Sequence, residues 1–231
     1  MKDVKTRLPD TSVEESLSQK RRRMQAILSG LNQAYPDTTL ALNFSSPLEL
    51  LIALILAAQC TDERVNAVTA TVFQKYPTVN VWAGADRQAL EKDLQSVSFY
   101  RNKIKAIQAC CQDLVARFGG QVPKTLEELI SLPGVGRKTA NVLRGNAFGQ
   151  PAIGVDRHVG RLAQRMGFTT QTDPDKIELD LNVLVPDESK VRFCHVMQTH
   201  GRVQCLARTP QCATCPVRSF CPYPESNDSS Q

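Results

Sequence analysis

Nothing in this sequence is apolar for long enough to cross a bilayer. Its longest unbroken apolar run, Leu50 to Ala58, stops well short of the roughly 20 residues a membrane helix needs. No signal peptide opens the chain, no unit repeats along it, and no segment alternates apolar and polar side chains over strand length. A membrane span, a solenoid and a sheet-built fold are thereby excluded. An all-α chain of roughly ten helices with short connections is expected. The eight cysteines lack the arrangement of a secreted disulfide framework, because four of them crowd between Cys205 and Cys221. A soluble protein of a reducing, cytoplasmic compartment is expected.

What is present is apolar material sufficient for a real core, 42% of 231 residues, and a charge excess gathered in one place. The formal net charge is +5. Between Leu132 and Met166 stand Arg137, Lys138, Arg144, Arg157, Arg161 and Arg165 against the single acid Asp156, so this window alone nets +5. Positive charge concentrated in this way favours a polyanionic partner, although Arg157, Arg161 and Arg165 at four-residue spacing also describe a solvated helix face.

Residues 1 to about 21 are polar, closed by Lys20-Arg21-Arg22-Arg23, and read as a flexible basic tail; 225–231 read as a second tail. A first helix is predicted from about Arg22 to Ala34. Ser46-Pro47-Leu48-Glu49 is a strong helix start, and the almost unbroken apolar sequence behind it predicts a helix inside the domain. That helix ends at Gln59-Cys60-Thr61-Asp62, with Asp62 placed to cap the next. Ile104, Ile107, Cys111, Leu114 and Val115 form a stripe stopped by Gly119-Gly120. Thr125, Asp156 and Asp173 read as further caps.

The chain is organised around Leu132-Pro133-Gly134-Val135-Gly136-Arg137-Lys138. Two glycines behind a proline end one helix and open another, whose free N–H groups form a cradle for a phosphate. A lysine in the first turn opposes the helix macrodipole, which favours its neutral, nucleophilic amine. Taken alone, the same stretch is also ordinary helix–helix punctuation. Cys205-x6-Cys212-x2-Cys215-x5-Cys221 lies among prolines and reads as a metal centre. Zinc and a four-iron cluster both accept four thiolates; only one short pair is present here, and the wider loops favour the larger object.

The hairpin, an aspartate eighteen residues beyond its lysine, and the terminal cysteine spacing together resemble the endonuclease III family of DNA glycosylases, in the helix-hairpin-helix superfamily. The resemblance implies two all-helical lobes flanking a DNA-binding cleft: a six-helix lobe at 40–150, with the hairpin at about 125–148, and a cluster lobe of 22–39 plus 151–224. It implies a [4Fe-4S] cluster on Cys205, Cys212, Cys215 and Cys221, a Schiff-base lysine at Lys138 and a catalytic aspartate at Asp156. It also implies DNA contacts from Gln59, Phe99, Leu132, Gly134, Gly136, Arg137 and Arg208. Gln59 falls where the family fills the gap left by a flipped base, and Phe99 where it places an apolar wedge. The implied activity is base excision by a bifunctional DNA glycosylase and AP lyase, acting as a monomer on duplex DNA with damaged pyrimidines or abasic sites. A monofunctional mismatch glycosylase would lack the lysine, and a non-catalytic hairpin module would need neither Lys138 nor Asp156. The sequence departs from the family in Arg157 after the aspartate, in Phe99 for leucine, and in the single basic residue, Arg208, between the first two cluster cysteines.

Overall fold

A computed structural model describes residues 15–223, and among them every regular element is helical. The order is α1 (Leu17–Ala34), α2 (Pro47–Ala57), α3 (Asp62–Lys75), α4 (Val79–Gly84), α5 (Arg87–Leu94), α6 (Tyr100–Phe118), α7 (Leu126–Ile130), α8 (Arg137–Phe148), α9 (Arg157–Arg165), α10 (Pro174–Leu184) and α11 (Lys190–Val203). Three single 3-10 turns complete it, two of them in the cysteine segment. Among the described residues no helix is long and apolar enough to cross a membrane.

Local chemistry sets most of these boundaries. Ser46, Thr125, Asp156 and Asp173 each accept hydrogen bonds from the first turn of the helix they precede, satisfying donors that would otherwise have no partner. Gly119 and Gly149 end α6 and α8 in the left-handed conformation. Three boundaries differ from the sequence reading. Helix α1 begins at Leu17, because Ser16 and Gln19 form a reciprocal capping box; Lys20–Arg23 is therefore helical, and the tail expected before it lies largely at residues 1–14, outside the described ones. The cap of α3 is Thr61, not Asp62. Val115 is exposed, so the α6 stripe is narrower than expected.

The apolar side chains gather into two separate cores. One draws only on residues 42–143, with α2 buried along its length between α3, α6 and α8. It holds seven helical segments, where six were expected, since α4 and α7 are single short turns. The other joins Met24, Ile27, Leu28 and Leu31 of α1 to α9, α10, α11 and Val217. The chain therefore starts in one lobe, builds the second, and returns.

Polar bridges fix the seam between them. Arg137, first residue of α8, forms a two-pronged pair with Glu178 of α10 at 2.7 and 3.0 Å, and Arg202 of α11 meets Asp62 of α3 at 3.0 Å. His195 and Asn146 are 2.9 Å apart, and Asn141 donates to the Ile153 carbonyl at 3.1 Å. Glu178 is buried, so Arg137→Ala leaves its carboxylate without a partner. The expected loss is about 2–4 kcal/mol of unfolding free energy, measured by urea denaturation. A loss below about 0.5 kcal/mol would show that Arg137 is not a clamp.

Candidate functional site

Gly134 takes φ +79, and a Cβ there would stand 2.9 Å from the Ala106 Cβ. Both the turn and its packing on α6 therefore require glycine. Gly136 caps α8 without a side-chain hydrogen bond and is exposed, so the first N–H groups of α8 open toward solvent. That is the arrangement an anionic oxygen fills. Leu132 is 2% exposed and its N–H is given to Leu129. It anchors the hairpin in the core and is not positioned to touch a ligand, contrary to the sequence expectation. Arg137 likewise spends its guanidinium on Glu178 and is not free for one.

Lys138, in the first turn of α8, is exposed and makes no hydrogen bond or ion pair among the described residues. Asp156 heads α9, accepting the N–H groups of His158 and Val159 at 2.8 Å. The contact that relates them is glycine again. A Cβ on Gly154 would stand 2.6 Å from Val142 Cγ2 and 3.4 Å from the Lys138 carbonyl, so the link at 152–155 lies directly against α8. Beneath, burial pushes the Cys194 thiol up to about 12; it receives the Gly154 N–H and feels the Asp156 carboxylate and the Lys138 ammonium with opposite sign. The Gly154 link thus brings the backbone of Lys138 against the segment that leads into Asp156. Arg157 does not pair with Asp156; its Nε lies 3.4 Å from His158 Nε2 and its side chain is exposed. Desolvation lowers the His158 imidazole, and Arg161, Arg157 and Arg202 lower it further against the pull of Asp156.

Gln59 and Phe99 are the only non-glycine residues with positive φ among the described ones, at 54° and 56°. Phe99 is 63% exposed. Ser98 ties the two together, its hydroxyl donating to the Gln59 carbonyl at 2.5 Å. A bulky aromatic held in the left-handed region costs of order 1–2 kcal/mol and returns no burial here. Arg208 is exposed in the loop after Cys205.

Arg161 and Arg165, which the sequence leaves open between a polyanion-facing patch and a solvated helix face, turn instead to the chain itself. Arg161 donates to the carbonyls of Gly201 and Cys205, and Arg165 to those of Leu206 and Ala207. They hold the cysteine segment by its backbone. All four cysteines line one pocket there, with Arg165, His200 and Tyr223. Among the described residues no three His, Cys, Asp or Glu side chains converge as a single ion would need. Four sulfurs lining one shared space are a donor set that fits an iron–sulfur cluster. Burial raises the Cys215 and Cys221 thiols, so their thiolates call for a cationic centre. Arg165 adds a contact to Cys205 Sγ at 3.3 Å.

Comparison with known proteins agrees with this geometry. The family model described as "HhH-GPD superfamily base excision DNA repair protein" matches residues 52–187, and "Iron-sulfur binding domain of endonuclease III" matches 205–221. Endonuclease III of Synechocystis sp. is 45% identical over 218 residues, covering 94% of this chain and 100% of that protein. The solved structures of a non-covalent endonuclease III–DNA complex and of a trapped endonuclease III–DNA covalent intermediate each superpose with a TM-score of 0.84 at 40% identity, over 90% of this chain and 98% of theirs.

Two expectations follow. Phe99→Gly removes the strain and little buried area, so unfolding free energy stays level or rises by up to about 1 kcal/mol; a loss beyond about 1 kcal/mol on denaturation would make Phe99 a packing residue. The purified protein carries about four irons per chain and no stoichiometric zinc by elemental analysis, and Cys212→Ser lowers both iron content and soluble yield.

Proposed function

Because the chain belongs to the endonuclease III family, within the HhH-GPD superfamily of base excision DNA repair proteins, we propose that Lys138 and Asp156 carry out its chemistry on a damaged pyrimidine. The protein is a DNA glycosylase with AP lyase activity and carries the family's [4Fe-4S] cluster. The observation that supports the residue assignment is the seam itself, where the Gly154 link lies against the backbone of Lys138, an exposed lysine, and leads within two residues to the rigidly capped carboxylate of Asp156.

The reading assigns a sequence of steps. A lesion inside a duplex hides C1′ of its sugar, so the nucleotide is turned out of the stack, at a cost of a few kcal/mol that is smaller for a damaged pair. Gln59 and Phe99 occupy the vacated space, and the Gly134–Gly136 turn with the open start of α8 grips a backbone phosphate. The neutral Lys138 Nζ attacks C1′ and the glycosidic bond breaks, with its electron pair leaving on the base, which takes up a proton. Asp156 stabilises cationic character at the sugar or accepts the lysine's proton. The protonated imine makes the C2′ hydrogen acidic; its removal expels the 3′ phosphate by β-elimination, and water then releases the sugar from Lys138. Arg157, exposed beside Asp156, and Arg208, exposed in the loop after Cys205, add phosphate contacts.

Cys205, Cys212, Cys215 and Cys221 hold the cluster, which supplies no step of this reaction and folds the terminal loop into a surface facing the DNA. The division into lobes at 40–150 and at 22–39 plus 151–224 is supported by the two separate cores. A monomer acting on duplex DNA in the cytoplasm, against the nucleoid in a bacterium, completes the reading.

Borohydride reduction is expected to link the protein to lesion-bearing DNA. Lys138→Gln abolishes both that link and strand cleavage, while the phosphate cradle preserves binding. Asp156→Asn keeps the cap and loses the charge, so base release slows by more than about tenfold, a loss above ~1.4 kcal/mol, with unfolding unchanged. A Lys138→Gln protein that still traps and cuts moves the nucleophile elsewhere. Unchanged base release in Asp156→Asn leaves that residue as a cap alone.

A further inference from the structure

Three charged side chains are buried among the described residues. Glu178 is paired with Arg137, and Lys190 with Asp187 at 2.6 Å. Lys103, on the first turn of α6 and 7% exposed, has no acidic partner among the described residues. Burial lowers its ammonium from the ordinary lysine range, with Cys60 opposing. An unpaired ammonium is a poor way to fill a core, where a methionine of similar length would pack without the desolvation cost.

Its contacts show what the position gives in return. Lys103 Nζ donates to the Leu56 carbonyl at 2.7 Å. Leu56 is in the last turn of α2, whose final carbonyls lack intrahelical donors and whose dipole ends there in partial negative charge. A cation is the natural cap for that end. Three residues on, the chain enters the left-handed turn at Gln59. The backbone N–H of Lys103 meanwhile donates to the Phe99 carbonyl at 3.2 Å, closing the first turn of α6 behind the second left-handed residue. One residue thus grips the helix end from which Gln59 departs and the helix start on which Phe99 sits, and the Ser98–Gln59 hydrogen bond closes the ring.

We propose that Lys103 is a positioning residue that locks the Gln59 and Phe99 turns into one rigid wedge, so that both side chains enter the duplex together. The proposal rests on the reading that those two side chains fill the stack. Lys103 itself touches neither DNA nor the reacting sugar.

The test uses the full-length, cluster-loaded protein and two substrates. One is a duplex bearing an oxidised pyrimidine, which needs the wedge; the other is a single strand bearing an abasic site, which does not. Lys103→Met is expected to lower base release from the duplex by more than about tenfold while borohydride trapping on the single strand stays within about twofold. With 2-aminopurine opposite the lesion, the rise in emission on binding is expected to be lost. Lys103→Met should cause no further loss in a Gln59→Ala, Phe99→Ala background, since the lysine acts through both wedge side chains. Lys103→Gln can still donate to the Leu56 carbonyl; it serves if the methionine variant does not fold, and it should retain more duplex activity. Equal losses on both substrates, a loss that adds to that of the Gln59→Ala, Phe99→Ala protein, or unchanged duplex activity would each overturn the proposal. Failure of the unmodified protein to trap on either substrate would instead overturn the reading of Lys138.

Discussion

The site depends on one close approach. With no side chain at Gly154, the link between the lobes lies against α8 at the Lys138 carbonyl and Val142, and Asn141 binds the Ile153 carbonyl one residue earlier. Two residues later the chain turns into α9 at Asp156. The placement of the Lys138 backbone relative to the start of α9 is therefore set by main-chain packing. An alanine there would have to displace either a core valine or a main-chain carbonyl, and interiors packed at crystal density yield little. The seam bridges act in the same sense, since Arg137–Glu178 ties the first residue of α8 to the opposite lobe.

The positive charge of the chain is distributed by purpose once its contacts are traced. Of the six cations between Leu132 and Met166, Arg137 joins the lobes, Arg144 holds Gln150 and Asn141, and Arg161 and Arg165 suspend the cysteine segment by its carbonyls. Lys138 and Arg157 remain toward solvent. A small outward charge beside open helix donors suits recognition of one phosphate at a defined place more than diffuse adhesion to any polyanion.

Legibility in the sequence followed the range of each interaction. The caps Ser46, Thr125, Asp156 and Asp173 bond to N–H groups two or three residues ahead, so a short window contains both partners. The hairpin and the cysteine spacing were readable for the same reason. Arg137–Glu178 spans 41 positions, and Arg165 reaches the carbonyls of Leu206 and Ala207; nothing local marks either, so Arg137 read as ligand-facing and Arg165 stayed open between a polyanion-facing patch and a solvated helix face. Lys103 was hidden more thoroughly, because within α6 it sits beside Asn102 and Lys105 as one more polar residue, and only the end of α2 shows its purpose. Gln59 and Phe99 were legible through family resemblance alone, since left-handed geometry in such residue types leaves no compositional trace.

The route of the chain between the two cores bears on how the protein is made. The core of residues 42–143 closes without help from either terminus, so it can fold while the remaining chain is still being synthesised. Helix α1 has no such option. Met24, Ile27, Leu28 and Leu31 share their core with buried residues 153–217, all of which follow the first core in the chain. Helix α1 is thus made well before the partners it packs on, and until they arrive an apolar stripe stays open to chaperones or to other nascent chains. Val217, two residues past Cys215, packs against Gly30 of α1, so the cysteine segment covers part of the same stripe that α10 and α11 cover, and its place in the fold is tied to that of α1.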